Sequence, residues 1–261
     1  MKYKAILLDV DGTLIPYDYD SLPSDAVANA IIKAKTKISV FVVTGRALNG
    51  IKPILKKLDI NTGLIVTNGG SVVLDLNTEK IIYDMPILES EGGSDMISIL
   101  QSEGFEFWVK SSPLNSVSGD LTYKPGDSIE KIYMIYALEI YEHSKVTRLF
   151  NALSDVPNLA LHKTKHKDPN KYGFNITHIN ATKLHGIRVL MKEKGLKRED
   201  MIGVGDGYND FPLLAASGLK VAMGNAIPDL KEFADYIAPS VNEDGVVDVI
   251  EKFILNEEPP K

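Results

Sequence analysis

The sequence predicts an α/β fold in which a parallel sheet with helical crossovers is interrupted by a second, smaller α/β unit. Three observations carry this. Short apolar runs end repeatedly at polar, glycine-bearing loops and are followed by amphipathic segments, the alternation expected of parallel strands joined by helices. That rhythm breaks after Val72 and resumes near Ile179. The 261 residues, 44% of them hydrophobic, suffice for one large domain or two small ones.

Taken in order, Ala5 to Leu8 is a β-prone run that stops at Asp9-Val10-Asp11-Gly12-Thr13. A helix follows from about Ser24 to Lys35, with Ser24 as its cap and Val27, Ile31 and Ala34 on one face. Ile38 to Val43 is a second strand ending at Thr44-Gly45-Arg46, and the stretch to Leu58 reads as helix. Leu64 to Val66 is a third strand, ending at Thr67-Asn68-Gly69-Gly70. Val72 to Leu76 and Lys80 to Tyr83 then flank Asn77-Thr78-Glu79 as a hairpin. The inserted unit offers a helix over Leu88 to Gln101, weakened at Gly92-Gly93, and strands over Phe105 to Val109 and Lys131 to Ala137. A helix over Glu142 to Ala152 and strands over Leu159 to His162 and Tyr172 to Thr177 complete it, while Ser111 to Asp127 reads as a loop with a short edge strand around Leu121 to Tyr123. The first rhythm returns as helix Ala181 to Lys194, strand Met201 to Val204, helix Asp210 to Ala216, strand Leu219 to Met223 and helix Asp229 to Ala234. The expected domains are a discontinuous core, residues 1–83 and 179–261, and an inserted cap, residues 84–178, with a mostly antiparallel sheet.

Composition narrows the chemistry. Lys and Arg number 29 against 35 Asp and Glu, a net charge of −6, which argues against a nonspecific nucleic-acid partner and leaves room for a local basic site holding a small anion. With no cysteine there is no disulfide, thiolate zinc site, iron–sulfur cluster or cysteine nucleophile. The apolar run before Asp9 is too short for a secretory segment or a bilayer span, so no membrane partner and a cytoplasmic location are expected. The patterns carry no oligomeric state.

Polar clusters sit at successive strand ends, where parallel α/β sheets bind ligands: Asp9 with Asp11, Thr44-Gly45-Arg46, Asn68-Gly69-Gly70, Lys183 in a first helical turn, and Gly205 to Asp210. Asp9, Asp11, Asp206 and Asp210 gathered together repel one another unless a hard divalent cation lies among them, and carboxylate oxygens suit Mg2+. Lys183 can neutralise a nucleophilic carboxylate and an incoming phosphate, and Thr44 offers a hydroxyl to phosphate oxygens. One aspartate can attack phosphorus while a second protonates the leaving oxygen and then activates water; Asp9 and Asp11 fit that order.

These residues closely resemble the haloacid dehalogenase-like hydrolase superfamily, in particular its Cof-like (subfamily IIB) phosphatases, which carry a large α/β cap inserted in a Rossmann-like core. The resemblance rests on Asp9-Val10-Asp11-Gly12-Thr13, Val43-Thr44-Gly45-Arg46, Thr182-Lys183-Leu184-His185-Gly186 and Gly205-Asp206-Gly207-Tyr208-Asn209-Asp210. It extends to the Asn68-Gly69 turn and the late Gly224-Asn225 pair. It implies Asp9 as nucleophile, Asp11 as general acid and base, Thr44 and Lys183 as phosphate-binding catalytic residues, and Mg2+ held by Asp9, Asp11, Asp206 and Asp210. Gly45, Arg46, Asn68 and Asn209 are the further substrate-binding candidates. Arg46 reads as a substrate contact or as the partner of a carboxylate at the domain boundary, and Asn68 as a turn residue or a site lining.

The expected activity is Mg2+-dependent hydrolysis of a small phosphorylated metabolite, such as a sugar phosphate or cofactor phosphate. A sugar-phosphate mutase and a non-catalytic phosphometabolite-binding module are the alternatives. Within the cap, His162 to Lys171 concentrates lysines and reads as a solvated loop or a grip on a polyanionic leaving group. Trp108 alternates with Phe105 and Phe107, and sheet packing is its expected role.

Overall fold

A computed structural model describes residues 2–18, 20–114, 129–140, 143–165 and 172–256. The edge strand expected around Leu121 to Tyr123 and the basic residues from His166 to Lys171 lie outside the described residues.

The first part of the chain runs through β1 (Ala5–Leu8), α1 (Asp25–Lys35), β2 (Ser39–Val42), α2 (Leu48–Lys57), β3 (Leu64–Thr67), β4 (Val72–Asp75) and β5 (Lys80–Asp84). Next come β6 (Ile87–Leu88), α3 (Gly93–Ser102), β7 (Phe107–Lys110), β8 (Lys131–Ile132), β9 (Met134–Ile140), α4 (His143–Leu153), β10 (Leu159–Lys165) and β11 (Tyr172–His178). The chain returns through α5 (Lys183–Lys194), β12 (Met201–Gly205), α6 (Phe211–Ala215), β13 (Leu219–Ala222), α7 (Pro228–Phe233), β14 (Tyr236–Ile237) and α8 (Gly245–Ile250).

The central sheet is parallel, in the order β14-β13-β12-β1-β2. All four residues of β1 are buried, because a strand covered on both faces takes a continuous apolar run. The helix α1 starts where the Ser24 hydroxyl accepts the Val27 N–H at 3.1 Å, and it packs Val27, Ile31 and Ala34 inward. One face of the sheet buries Ile6, Leu8, Ile31, Val204 and Val249, and the other buries Leu7, Val43, Ile187, Leu190 and Leu214. The register sets Leu8 opposite Val204, so the residues that follow β1 and β12 leave the same edge of the sheet about 5 Å apart.

The structure corrects several expectations. The third strand is not an ordinary member of the parallel sheet: β3 pairs antiparallel with β4, and meets β2 through a parallel bridge between Val43 and Val66. The reason is the tight turn at Asn68, Gly69 and Gly70, all three with positive φ, which folds the chain straight back. The helix expected from Leu88 begins at Gly93 instead. Gly92 has φ of 105°, so the glycine pair ends a preceding turn and starts α3 rather than weakening its middle. The strand expected over Lys131 to Ala137 is broken at Tyr133 into β8 and β9.

The inserted unit has a four-stranded antiparallel sheet, β10-β11-β9-β7. Val109, Ile135, Ala137, Phe174 and Ile176 point to one face and pack with Met96, Leu100, Leu149 and Leu153 of α3 and α4. By the period of two in a strand, their neighbours point the other way, toward the parallel sheet. Among the described residues no helix is long and apolar enough to cross a membrane.

Candidate active site

Asp9 directly follows β1, and its N–H continues the sheet by donating to Val204 O at 3.1 Å. Gly12 turns the loop with φ of 83°; a Cβ there would lie 2.4 Å from Asp206 Oδ2, so only glycine lets this loop close on Asp206. Asp206 follows β12. Asp210 sits in the next turn, where its Oδ2 accepts the backbone N–H groups of Asp206 and Gly207, each at 2.9 Å. Carboxylate oxygens of Asp9, Asp206 and Asp210 lie within 4.8 Å of one another, and all three residues are buried.

Lys183 occupies the first position of α5 and is 2% exposed. Its Nζ donates to Asp9 Oδ1 and to Asp210 Oδ1, both at 2.6 Å. A cation at a helix N-terminus opposes the helix dipole, so the carboxylates hold it there rather than helix preference. Burial works against its charge, and Asp210 and Asp9 outweigh burial, keeping the ammonium protonated above its ordinary range. Asp9 is driven the other way from a normal carboxylate: burial first, then the Asp210 charge, raise its pKa well above the usual value despite Lys183. Three buried carboxylates against the Lys183 ammonium leave excess negative charge in a site of oxygen donors only, which fits a hard divalent cation.

Asp206 is braced from two sides. The Tyr17 hydroxyl lies 3.0 Å from each of its carboxylate oxygens, and Asn225 Nδ2 donates to its Oδ2 at 3.1 Å and to Gly12 O at 2.8 Å. The Asp206 and Asp9 charges and burial together raise the Tyr17 pKa far above its ordinary value, with burial the largest cause, so the phenol keeps its proton and donates.

Asp11 is turned out of the carboxylate cluster. Arg46 grips it, with Nε 3.1 Å from Oδ2 and Nη2 2.6 Å from Oδ1, so of the two readings of Arg46 the structure displays the pairing with a carboxylate. Thr44 is fully buried; its Oγ1 accepts the Arg46 N–H at 3.0 Å. Asn68 is buried at φ of 50°, its Nδ2 donating to Pro113 O at 3.0 Å while its Oδ1 has no hydrogen-bond partner. It is therefore both a turn residue and a tie to the inserted unit. Gly45 O accepts Lys110 Nζ of β7 at 2.8 Å. Burial pushes the Lys110 ammonium down to about 8, with Arg46 adding to that and Asp11 opposing it.

A small cleft lies between the two sheets, lined by Gly69, Lys183, Asn209 and Pro212 below and by His162, Asn175 and Thr177 above. Its volume is about 10 Å³, room for about one water molecule. Lys163 packs its ammonium 4.5 Å over the Tyr208 ring, so this member of the basic stretch docks the inserted sheet onto the core rather than pointing to solvent.

Reasoning from sequence missed Tyr17, Lys110 and Asn175 as site residues, and named His162 only as the start of the lysine-rich stretch. Tyr17 sits beyond a loop and carries no local signal. Lys110 had one: two residues after Trp108 in a strand, it shares that side chain's face.

A family model described as haloacid dehalogenase-like hydrolase matches residues 6–250. The 5-amino-6-(5-phospho-D-ribitylamino)uracil phosphatase YcsE of Bacillus subtilis (strain 168) is 28% identical over 254 residues, covering 97% of this chain and 96% of the relative. A haloacid dehalogenase-like hydrolase from B. subtilis superposes with a TM-score of 0.77 at 23% identity, over 96% of this chain and 99% of that one. The HAD subclass IIB sugar phosphatase BT4131 superposes with a TM-score of 0.75 at 20% identity, over 95% and 98% of the two chains. The match runs through both halves of the parallel sheet and the unit inserted between them, and the chain belongs to the haloacid dehalogenase-like hydrolases.

Proposed function

We propose that the protein is a Mg2+-dependent phosphomonoester hydrolase of small phosphorylated metabolites, working through an aspartyl-phosphate on Asp9. The observation that carries this reading is the buried Asp9 carboxylate held 2.6 Å from Lys183 inside a cluster with Asp206 and Asp210. Two proteins of similar fold or sequence are a sugar phosphatase and a phosphatase of a ribitylamino-uracil phosphate, which supports the class of substrate. Residues 1–83 and 179–261 serve as the catalytic unit and 84–178 as the cap.

In this reading Asp9 attacks phosphorus, and the bond from phosphorus to the leaving oxygen breaks as Asp11 gives that oxygen a proton. Asp11, now a carboxylate, takes a proton from water as the water oxygen attacks phosphorus, and the Asp9–phosphorus bond breaks to release inorganic phosphate. Lys183 and the Thr44 hydroxyl hold phosphoryl oxygens, with Gly45 and Asn209 beside them. Both Asp11 oxygens rest on Arg46, so Asp11 hands over a proton only once that pair parts; an incoming phosphate gives Arg46 another anion to hold. Asp9, Asp206 and the Asp11 carbonyl, with Asp210 alongside, would hold Mg2+, which would supply charge neutralisation for the phosphoryl oxygens when bound. The cleft holds about one water, so the cap opens to admit an ester and closes to exclude solvent.

The deciding experiment is phosphate release from a panel of sugar, nucleotide and cofactor phosphates with and without Mg2+, beside Asp9→Asn. Turnover should require Mg2+ and fall by about 10⁴-fold or more in Asp9→Asn, with the melting temperature of the variant no lower than the parent's. Equal phosphate release by the variant would remove Asp9 as nucleophile.

A further inference from the structure

The face of the cap sheet that looks toward the parallel core carries one continuous row of side chains. Trp108 on β7 stands opposite Tyr136 on β9, Tyr136 opposite Asn175 on β11, and Asn175 opposite His162 on β10. Direct register partners share a face, and this face is fixed at both ends. His162 and Asn175 line the cleft with Lys183, and Lys110, two residues along from Trp108, reaches Gly45 O.

The two ends of the row differ. At the cleft end, Asn175 is buried and His162 Nε2 is buried with no hydrogen-bond partner. At the far end, Trp108 is 46% exposed, and its ring centroid lies 6.1 Å from that of Tyr136. Tyr136 lies across Gly173, where a Cβ would fall 2.3–2.6 Å from three atoms of the tyrosine ring and hydroxyl. Glycine therefore lets the ring lie down on the sheet. An exposed tryptophan beside a tyrosine laid flat on a buried glycine is a built platform, on the side of the sheet that packing does not use. Asn175 to Trp108 is two strand spacings, about 10 Å.

We propose that this row reads the leaving group, and that the preferred substrates are phosphate esters whose leaving group ends in a flat heteroaromatic ring on a pentose or pentitol linker. The inference rests on the phosphatase reading above. Asn175 and His162 meet the linker hydroxyls next to the phosphate, which supplies the partner that His162 Nε2 lacks. The ring stacks on Trp108 and Tyr136, and a linker of that length spans the distance between the two ends.

Two matched pairs of esters test this: uridine 5′-monophosphate against ribose 5-phosphate, and flavin mononucleotide against ribitol 5-phosphate. With Mg2+, the ring-bearing member of at least one pair should show kcat/KM about tenfold or more above its ring-free partner, carried by KM. Trp108→Leu should bring that ratio to within about twofold of one, and Trp108→Phe should retain most of it. Trp108 is the chain's single tryptophan, so its emission in Asp9→Asn should be quenched by uridine 5′-monophosphate and not by ribose 5-phosphate. Ratios near one in both pairs, or a preference that survives Trp108→Leu, would overturn the inference. If all four esters release phosphate at similar rates, the platform falls and the phosphatase reading stands; if none does, both fall.

Discussion

The carboxylate cluster of the core and the inner face of the cap sheet treat polar side chains in opposite ways. In the core, Asp9, Asp206 and Asp210 are each held by groups of the protein itself: Lys183 bridges two of them, Tyr17 and Asn225 brace the third, and backbone N–H groups orient Asp210. On the cap face, His162 Nε2 and Thr164 Oγ1 are buried without partners and Trp108 is exposed. Fixed dipoles and charges suit chemistry that is the same for every phosphate ester, because they need no reorganisation when charge develops. Unmatched groups suit recognition, because a ligand that satisfies them gains what the free protein lacks.

The contrast makes different demands on substitutions in the two regions. Lys183→Met should have the largest effect beyond removal of the nucleophile, lowering kcat by about 10²–10³-fold and stability by about 3–5 kcal/mol, since it leaves two carboxylates buried without their cation. Steady-state rates and thermal melts check both, and a variant of unchanged stability would deny that the cluster is mutually supporting.

Tyr17→Phe removes one brace from Asp206 without touching the other, and should weaken Mg2+ binding by about tenfold. Calorimetric titration of the ion into chelator-treated protein measures this without reference to turnover. Unchanged affinity would make the tyrosine mere packing.

The charge excess has its own signature. A carboxyl whose folded pKa is raised binds its proton more tightly when folded, so its contribution is most favourable below the unfolded value near 4 and is lost as pH rises from there through the raised folded value. In chelator-treated protein, Asp9→Asn should therefore melt higher than the parent at pH 8, and the gap should close toward pH 4. A parent that is the more stable at pH 8 would contradict the electrostatic account of the cluster.

His162→Leu should give the smallest effect and the sharpest contrast with the core. It deletes a buried nitrogen that nothing satisfies, so stability should stay within about 1 kcal/mol of the parent or rise. KM should increase several-fold with kcat nearly constant. A large fall in kcat would move His162 out of recognition and into the chemistry.

Much of the core was legible because its signals are local. The run Ala5 to Leu8 is apolar throughout, as a doubly covered strand requires, and Asp9-Val10-Asp11-Gly12-Thr13 follows without a gap. Serine before a helical pattern announced α1, and its hydroxyl does accept from Val27 N. Elements at the end of the chain were harder: β14 has only Tyr236 and Ile237, and α8 only six residues, both too short for periodicity to register. In the inserted unit, the Gly92-Gly93 pair was visible but its meaning was not, since a glycine marks a helix end or a weak middle depending on a φ that sequence does not reveal.

The sequence by itself determined which carboxylates and which lysine stand at the strand ends, and the order of strands and helices that delivers them to one edge of a parallel sheet. Only the tertiary structure decided their partners. Arg46 takes Asp11, Tyr17 takes Asp206, and Lys110 crosses from the cap to Gly45. The physical reason is separation along the chain: Tyr17 and Asp206 are 189 residues apart, and no local pattern encodes a hydrogen bond over that distance. The same holds for the row from Trp108 to His162, whose members come from four strands and become neighbours only when the sheet register aligns them.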